Sequence, residues 1–196
     1  MTAAALLVGY LVGGIPTADW LARRRGLDLR ARGSRNPGAN NALRLGGRRL
    51  AAAVLTAEVG KGALAVLLGG LGDDAGAVAA GIGAVLGNVS NPYRRLRGGQ
   101  GLGITAGILL TAAPVVGLVA ILVIWTTVVV TRNAAAAAVA AMIGLIATAA
   151  LAGSGPWGLT DTGHVVALAL GVCAVIAPKQ VMKLRPPARP TPPAPG

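Results

Sequence analysis

The sequence predicts an all-α integral membrane protein of about seven transmembrane helices, with its N-terminus outside and its C-terminus cytoplasmic. Three observations carry that prediction. The chain is a series of apolar segments, 54% hydrophobic and only 12% charged, where a soluble domain carries about 25% charged residues. Its Lys and Arg residues fall in every second connection between those segments. It has 30 Gly and no Phe, a composition suited to helices that approach backbone to backbone in lipid.

The expected spans are 3–22, 50–71, 75–89, 101–113, 115–131, 134–152 and 163–177. The first opens without a cation, and its Arg cluster follows the apolar run. A cleavable signal has the opposite order, so this helix is expected to stay in the membrane. A full crossing takes about 20 residues. The third and fourth spans are shorter and flank Asn88–Gly101, so that connection is expected to dip into the bilayer under cover of protein. Pro114 separates the fourth and fifth spans with almost no loop, as in a tight helical hairpin. Ala134–Ala141 is low in complexity but reads as helix, because Ala has the highest helix propensity. Residues 1–178 form one membrane domain. Residues 179–196 read as a basic, Pro-rich, disordered cytoplasmic tail.

The first connection holds Arg23, Arg24, Arg25, Arg30, Arg32, Arg35, Arg44, Arg48 and Arg49, and the third holds Arg94, Arg95 and Arg97. Arg132 marks the fifth, and Lys179, Lys183, Arg185 and Arg189 follow the last span. The connections between them carry Asp73, Asp74 and Asp161 and no cation. Cationic loops stay on the cytoplasmic side, so the first and third connections share that face. The net charge of +12 flanks apolar spans rather than forming a basic face on a soluble fold. Anionic lipid headgroups and phosphorylated substrates are therefore the expected partners, and nucleic acid is not. Cys173 is the single cysteine, which excludes an intramolecular disulfide. His164 is the single histidine and lies on the opposite side from the basic loops, so no Ser-His-Asp arrangement is expected. No metal is called for, because no His/Cys/Asp/Glu grouping has ligand spacing, and no cofactor is expected.

Two polar segments and one intramembrane pair could carry chemistry. Gly33-Ser34-Arg35-Asn36-Pro37-Gly38-Ala39-Asn40-Asn41-Ala42-Leu43-Arg44 can turn several backbone N–H groups toward one anion, with arginines to grip phosphate. The alternative is a polar turn whose arginines only set topology. Arg97-Gly98-Gly99-Gln100-Gly101 opens directly into an apolar helix, whose N-terminal dipole favours an anion. The alternative there is a flexible linker with a cationic anchor. Glu58 and Lys61 lie inside the second span, where ionisable groups are costly. Their i,i+3 spacing allows an ion pair on one face, either functional or simply bracing two helices.

In order and spacing, these motifs resemble the acyl-phosphate:glycerol-3-phosphate acyltransferases of bacteria, the PlsY family. Gly13-Gly14-Ile15-Pro16-Thr17 is similar to that family's Gly-Ser-Ile-Pro segment. The Gly33–Arg44 stretch is similar to its Gly-Ser-Gly-Asn-x-Gly-Ala-Thr-Asn-x-x-Arg motif. Glu58-Val59-Gly60-Lys61-Gly62 resembles its Asp-x-x-Lys-Gly, and Gly87 through Gly101 has the length of its Gly-His-x-Phe-Pro…Lys-Gly-Gly-Lys-Gly loop. Arg132 matches a third motif, although the Tyr and Ser that usually follow it are replaced by Ala. Asn88 stands where the family has His, Asn91 where it has Pro, and Gln100 where it has the second Lys.

The resemblance implies a seven-helix enzyme of the bacterial plasma membrane with its site facing the cytoplasm. It implies transfer of a fatty acyl group from acyl phosphate to the sn-1 hydroxyl of glycerol 3-phosphate, giving lysophosphatidic acid. It implies Ser34, Arg44 and Asn88 as catalytic positions. Gly33, Asn36, Gly38, Asn41, Lys61, Arg97, Gly98, Gly99, Gln100 and Gly101 would form the phosphate site. Membrane lipids and a soluble acyl-phosphate-making enzyme are the further partners expected. Two other readings stand beside it. The substitutions at 88 and 100 favour a non-catalytic homologue that binds phospholipid, acyl phosphate or a partner enzyme. A small transporter is opposed by the lack of an inverted repeat.

Overall fold

The computed structural model describes residues 1–131, 134–152, 159 and 161–184. Every regular element among them is helical: α1 (Thr2–Gly14), α2 (Thr17–Arg23), α3 (Ala39–Gly69), α4 (Asp74–Ser90), α5 (Leu102–Ala112), α6 (Pro114–Thr131), α7 (Ala134–Ala152) and α8 (Thr162–Leu184), with one 3-10 turn at Pro92–Arg94. Residues 2–23, 39–69 and 162–182 are long and apolar enough to cross a membrane. Arg132, Trp157 and the tail from residue 185 lie outside the described residues.

The expected first span is not one helix. Pro16 has no N–H and forces Ile15 into an extended conformation, with φ −52° and ψ 120°, so α1 stops at Gly14. A broken helix leaves its last carbonyls without intrahelical partners. Here other helices supply them. Lys61 Nζ donates to the carbonyls of Gly13 (3.2 Å) and Ile15 (2.9 Å), and Asn91 Nδ2 donates to that of Gly14 (2.8 Å).

The second span also differs, because helix begins eleven residues earlier than expected, at Ala39. Gly47, with φ +74°, breaks the axis. Residues 39–46 therefore form a short arm, and 48–69 a crossing about 33 Å long at 1.5 Å per residue. At the other end of the chain, α8 continues through Pro178 to Leu184, so residues 179–184 extend the bundle rather than begin a tail. Pro114 starts α6, a position where its missing N–H costs nothing.

Glycine sets how the helices meet. Gly9 and Gly13 of α1 lie one turn apart and rest against the Ala80 and Ala84 carbonyls of α4. Gly83 and Gly87 of α4 rest in turn on the Leu6 and Tyr10 carbonyls of α1. A Cβ at any of the four would collide with backbone. This reciprocal small-xxx-small seam brings two helices to the closest approach lipid-embedded packing allows. Gly62 and Gly107 do the same for α3 and α5, against Ile104 and Val59.

The largest core cluster is built around Ile104, Ile108, Val85, Leu168 and Val172. Leu7, Leu67, Leu118, Leu122 and Ile143 point outward, an arrangement suited to lipid rather than water.

α5 has 11 residues, about 16 Å at 1.5 Å each, and cannot cross a hydrocarbon layer of about 30 Å. Gly101, just before its first turn, is buried within the bundle. Leu29 tucks the first connection down. It is buried with Ala18, Ala22, Ala42, Leu50 and Val54, pinning the loop to α2 and α3. Asp28 shapes the turn, since its carboxylate accepts from the N–H groups of Arg30 and Ala31 (2.8 and 3.2 Å). The Arg30 N–H is the main reason its carboxyl is held below the usual range.

The basic connections 24–38 and 91–101 meet at one end of the bundle, joined by the bond from Arg30 to the Arg97 carbonyl (2.7 Å). The C-terminal part of α8 reaches the same end, where Lys179 Nζ donates to the carbonyls of Val89, Gly98 and Gly99. Asp73 caps α4 at the other end, accepting from Gly76 N–H (2.6 Å). The alternation of charge along the chain thus becomes a polarity of the molecule.

Candidate active site

Where the two basic connections meet lies a cavity of about 420 Å3, within the range of about 300–1,000 Å3 common for small-molecule sites. One wall is the turn Asn36-Pro37-Gly38 with Ala39 and Asn40. The facing wall is Gly99-Gln100-Gly101-Leu102-Gly103 at the start of α5, with Glu58 and Asn88 behind. Gly101 takes φ +81° as the residue before α5, and this turns the connection into the helix. The first N–H groups of a helix have no intrahelical acceptor. Those of Gln100 through Gly103 make no hydrogen bond to another described residue, and together with the helix dipole they favour an anion.

Behind this wall is a saturated polar cluster. Glu58 Oε1 takes Lys61 Nζ (2.9 Å) and the Thr17 hydroxyl (3.0 Å), and Oε2 takes Asn88 Nδ2 (2.6 Å). Donation to a carboxylate identifies which Asn88 atom is nitrogen, and this fixes the orientation of an amide that lines the cavity. Lys61 is 6% exposed, and its ammonium is engaged by Glu58 and two carbonyls. It does not line the cavity itself but a small polar pocket beside it, which shares Glu58, Asn88 and Gly99 with the cavity. Its bonds to the Gly13 and Ile15 carbonyls close the break in α1.

The other expected residues divide by location. Asn36, Gly38, Asn88, Gly99, Gln100 and Gly101 line the cavity. Gly33, Ser34 and Asn41 do not. Asn41 Oδ1 accepts from the Ser34 N–H (2.9 Å), and Asn41 Nδ2 donates to the carbonyls of Leu29 and Arg32 (2.7 and 3.0 Å). Asn41 is 1% exposed, and its amide braces the loop from within. Gly33, with φ +62°, leaves room for it. Gly98 also packs inward, because a Cβ there would strike the Asn88 and Val89 carbonyls. Arg44 and Arg97 are exposed and make no ion pair among the described residues. Arg44 lies four residues beyond Asn40 on the same helical face.

Sequence reading passed over Asp19, 5% exposed, although a carboxylate between Pro16 and the Arg cluster is the kind of costly intramembrane charge that marked Glu58. It pairs with Arg30 (3.0 Å) and Arg94 (3.4 Å). His164 stands at the far end, its Nδ1 3.3 Å from Asp161 Oδ2.

An apolar slot adjoins the cavity, sharing Leu102 and Ile124 with it and running on between Ala106, Leu109, Leu145 and Val172. Fold and site together define a helical membrane protein with a cavity at its basic end that opens onto an apolar slot. The model of the glycerol-3-phosphate acyltransferase family matches residues 3–183, and the chain belongs to that family. It is 43% identical to glycerol-3-phosphate acyltransferase 1 of Deinococcus radiodurans over 130 residues, 63% of this chain and 65% of that one. It is 41% identical to the glycerol-3-phosphate acyltransferase of Myxococcus xanthus over 155 residues, 77% of this chain and 81% of that one. The match to the Deinococcus protein thus spans just under two thirds of its length. The fold matches the crystal structure of PlsY, an integral membrane glycerol 3-phosphate acyltransferase, in its glycerol 3-phosphate form. The TM-score is 0.80 at 24% identity, covering 93% of this chain and 90% of that one.

Proposed function

We propose that this protein transfers a fatty acyl group from acyl phosphate to the sn-1 hydroxyl of glycerol 3-phosphate, giving lysophosphatidic acid and phosphate. The observation that carries the reading is the cavity between Asn36–Asn40 and the open N-terminus of α5, continuous with an apolar slot. It offers backbone N–H groups to phosphate at one side and hydrocarbon to an acyl chain at the other. The backbone donors and the amides of Asn36, Asn40, Asn88 and Gln100 hold the phosphates. Arg44, one turn above Asn40, supplies the cation at the mouth, and Ser34 acts through the loop it caps. An acyl phosphate is already activated, so catalysis rests on orientation and charge neutralisation rather than on a protein nucleophile. The hydroxyl oxygen attacks the acyl carbonyl, the bond to phosphate breaks, and the departing phosphate takes the hydroxyl proton.

The concentration of cations at the cavity end supports a cytoplasmic site in the bacterial plasma membrane. A separate soluble enzyme then supplies the acyl phosphate. A second reading, phosphate-lipid binding without turnover, is favoured by the uncharged Gln100 in the cavity wall.

The test is acyl transfer by the purified protein, with labelled glycerol 3-phosphate and palmitoyl phosphate, acyl-CoA or acyl carrier protein donors in parallel. Lysophosphatidic acid formed only with acyl phosphate, and lost in Arg44→Ala, is the expected result. No product with any donor from folded protein would leave the binding reading.

A further inference from the structure

We infer that Asp19 is a positioning residue that clamps both basic connections and so sets the width of the substrate cavity. The inference deepens the acyl-transfer reading and rests on it for its kinetic part. Asp19 sits on α2, directly after the Pro16 break, and does not line the main cavity. Its carboxylate receives Arg30 Nε at both oxygens (3.2 and 3.0 Å), from the first connection, and lies 3.4 Å from Arg94 Nε, from the second. Arg30 spends its remaining reach on the second connection as well, donating from NH1 to the Arg97 carbonyl (2.7 Å). The residues that follow Arg97 are Gly98, which packs on the Asn88 and Val89 carbonyls, and Gly99, whose N–H donates to Asn88 O (2.9 Å). Gly99 is cavity wall. A continuous run of contacts therefore leads from Asp19 through Arg30 to the edge of the proposed phosphate site.

The backbone shows that the second connection needs such a hold. Arg95 and Leu96 are non-glycine residues at positive φ, +50° and +61°, a conformation that persists only where surroundings enforce it. Arg94, immediately before them, is the side chain Asp19 holds. Among the described residues, it is the Asp19 carboxylate that pairs with both Arg30 and Arg94. Without it two guanidinium groups lose their partner, and one of them, Arg30, is the link between the loops. Arg30 and Arg94 are thus committed to the clamp, while Arg44 and Arg97 stay available to substrate.

The test compares wild type with Asp19→Asn, Asp19→Glu, Arg94→Gln and the Asp19→Asn/Arg94→Gln pair, using full-length protein in detergent. Two readouts are taken: kcat and KM for glycerol 3-phosphate with palmitoyl phosphate, and the rate of tryptic cleavage after Arg95 and Arg97. Asp19→Asn is expected to raise KM at least fivefold with kcat within twofold, and to speed cleavage at least fivefold. Asp19→Glu restores both, and the pair is no worse than Asp19→Asn alone, because the two residues act through one contact. KM and cleavage both within twofold of wild type would overturn the clamp. So would a fall in kcat at unchanged KM. Should Asp19→Asn fail to fold, Arg94→Gln alone carries the same two expectations and the same refutation. A wild type that makes no product defeats the acyl-transfer reading, and the cleavage rates then decide the clamp by themselves.

Discussion

Along the α1–α4 seam, Gly9 and Gly13 rest on the Ala80 and Ala84 carbonyls, and Gly83 and Gly87 rest on those of Leu6 and Tyr10. Just beyond it, where α1 breaks at Pro16, the same helices are joined through Lys61, Glu58, Asn88 and Asn91. The seam works by exclusion and tolerates no added volume. The cluster works by hydrogen bonding centred on the Glu58–Lys61 pair, which engages both carboxylate oxygens. In lipid there is no hydrophobic drive between helices, so close packing and interhelical hydrogen bonds must do the holding. The molecule uses one beside the other. The polar means lie at the end where α1 breaks at Pro16 and its last carbonyls are released to Lys61 and Asn91.

Substitution can separate the two means. The largest effect is expected for Lys61→Met, which leaves Glu58 buried without its cation and unties Gly13 and Ile15. Breaking a buried pair costs about 3–5 kcal/mol, read as thermal unfolding in detergent. The pair Glu58→Gln/Lys61→Met should recover much of that loss. Next is the seam. Gly87→Ala drives a methyl into the Tyr10 carbonyl and should cost about 1–3 kcal/mol by overpacking. An unchanged melting temperature there would mean that the helices can part without penalty, and the contrast would collapse.

Asn41→Ala removes three hydrogen bonds inside the first connection. It should destabilise by about 1–3 kcal/mol and raise KM for glycerol 3-phosphate as the loop loosens. Asn40→Ala, one residue away but facing the cavity, should leave stability within about 0.5 kcal/mol while raising KM severalfold. If both variants behaved alike, brace and ligand would not be distinct. The smallest effect is a gain. Arg35 holds φ +56°, where a side chain costs about 1–2 kcal/mol and glycine costs less. Arg35→Gly should therefore raise stability by about 0.5–1 kcal/mol, seen as a slightly higher melting temperature.

These contrasts also show how much of the protein was legible from its residues. Apolar segment length and the placement of cations were enough for helical membrane architecture, because the bilayer demands internally satisfied backbone and retains positive loops on one face. Motif order was enough for the family. Glycine at 98, 99 and 101 ahead of an apolar run marked the open helix N-terminus correctly, since that property is local to the chain.

Individual side-chain roles were less legible. Asn36 and Asn41 are chemically the same residue five positions apart, yet one lines the cavity and the other is consumed by Leu29, Arg32 and Ser34. That Lys61 would bond two α1 carbonyls was not foreseen, and Asp19 drew no notice. Both outcomes turn on where α1 breaks and which carbonyls that break releases to helices distant in sequence.

The sequence by itself thus determined the class of protein, the family and the gathering of the two basic connections. Those follow from hydropathy, net charge and short-range pattern, which need no partner. The tertiary structure alone decided which polar groups are spent on holding the fold and which line the cavity. A donor in a low-dielectric interior goes to the nearest unsatisfied acceptor, and the helix packing decides which acceptor is nearest.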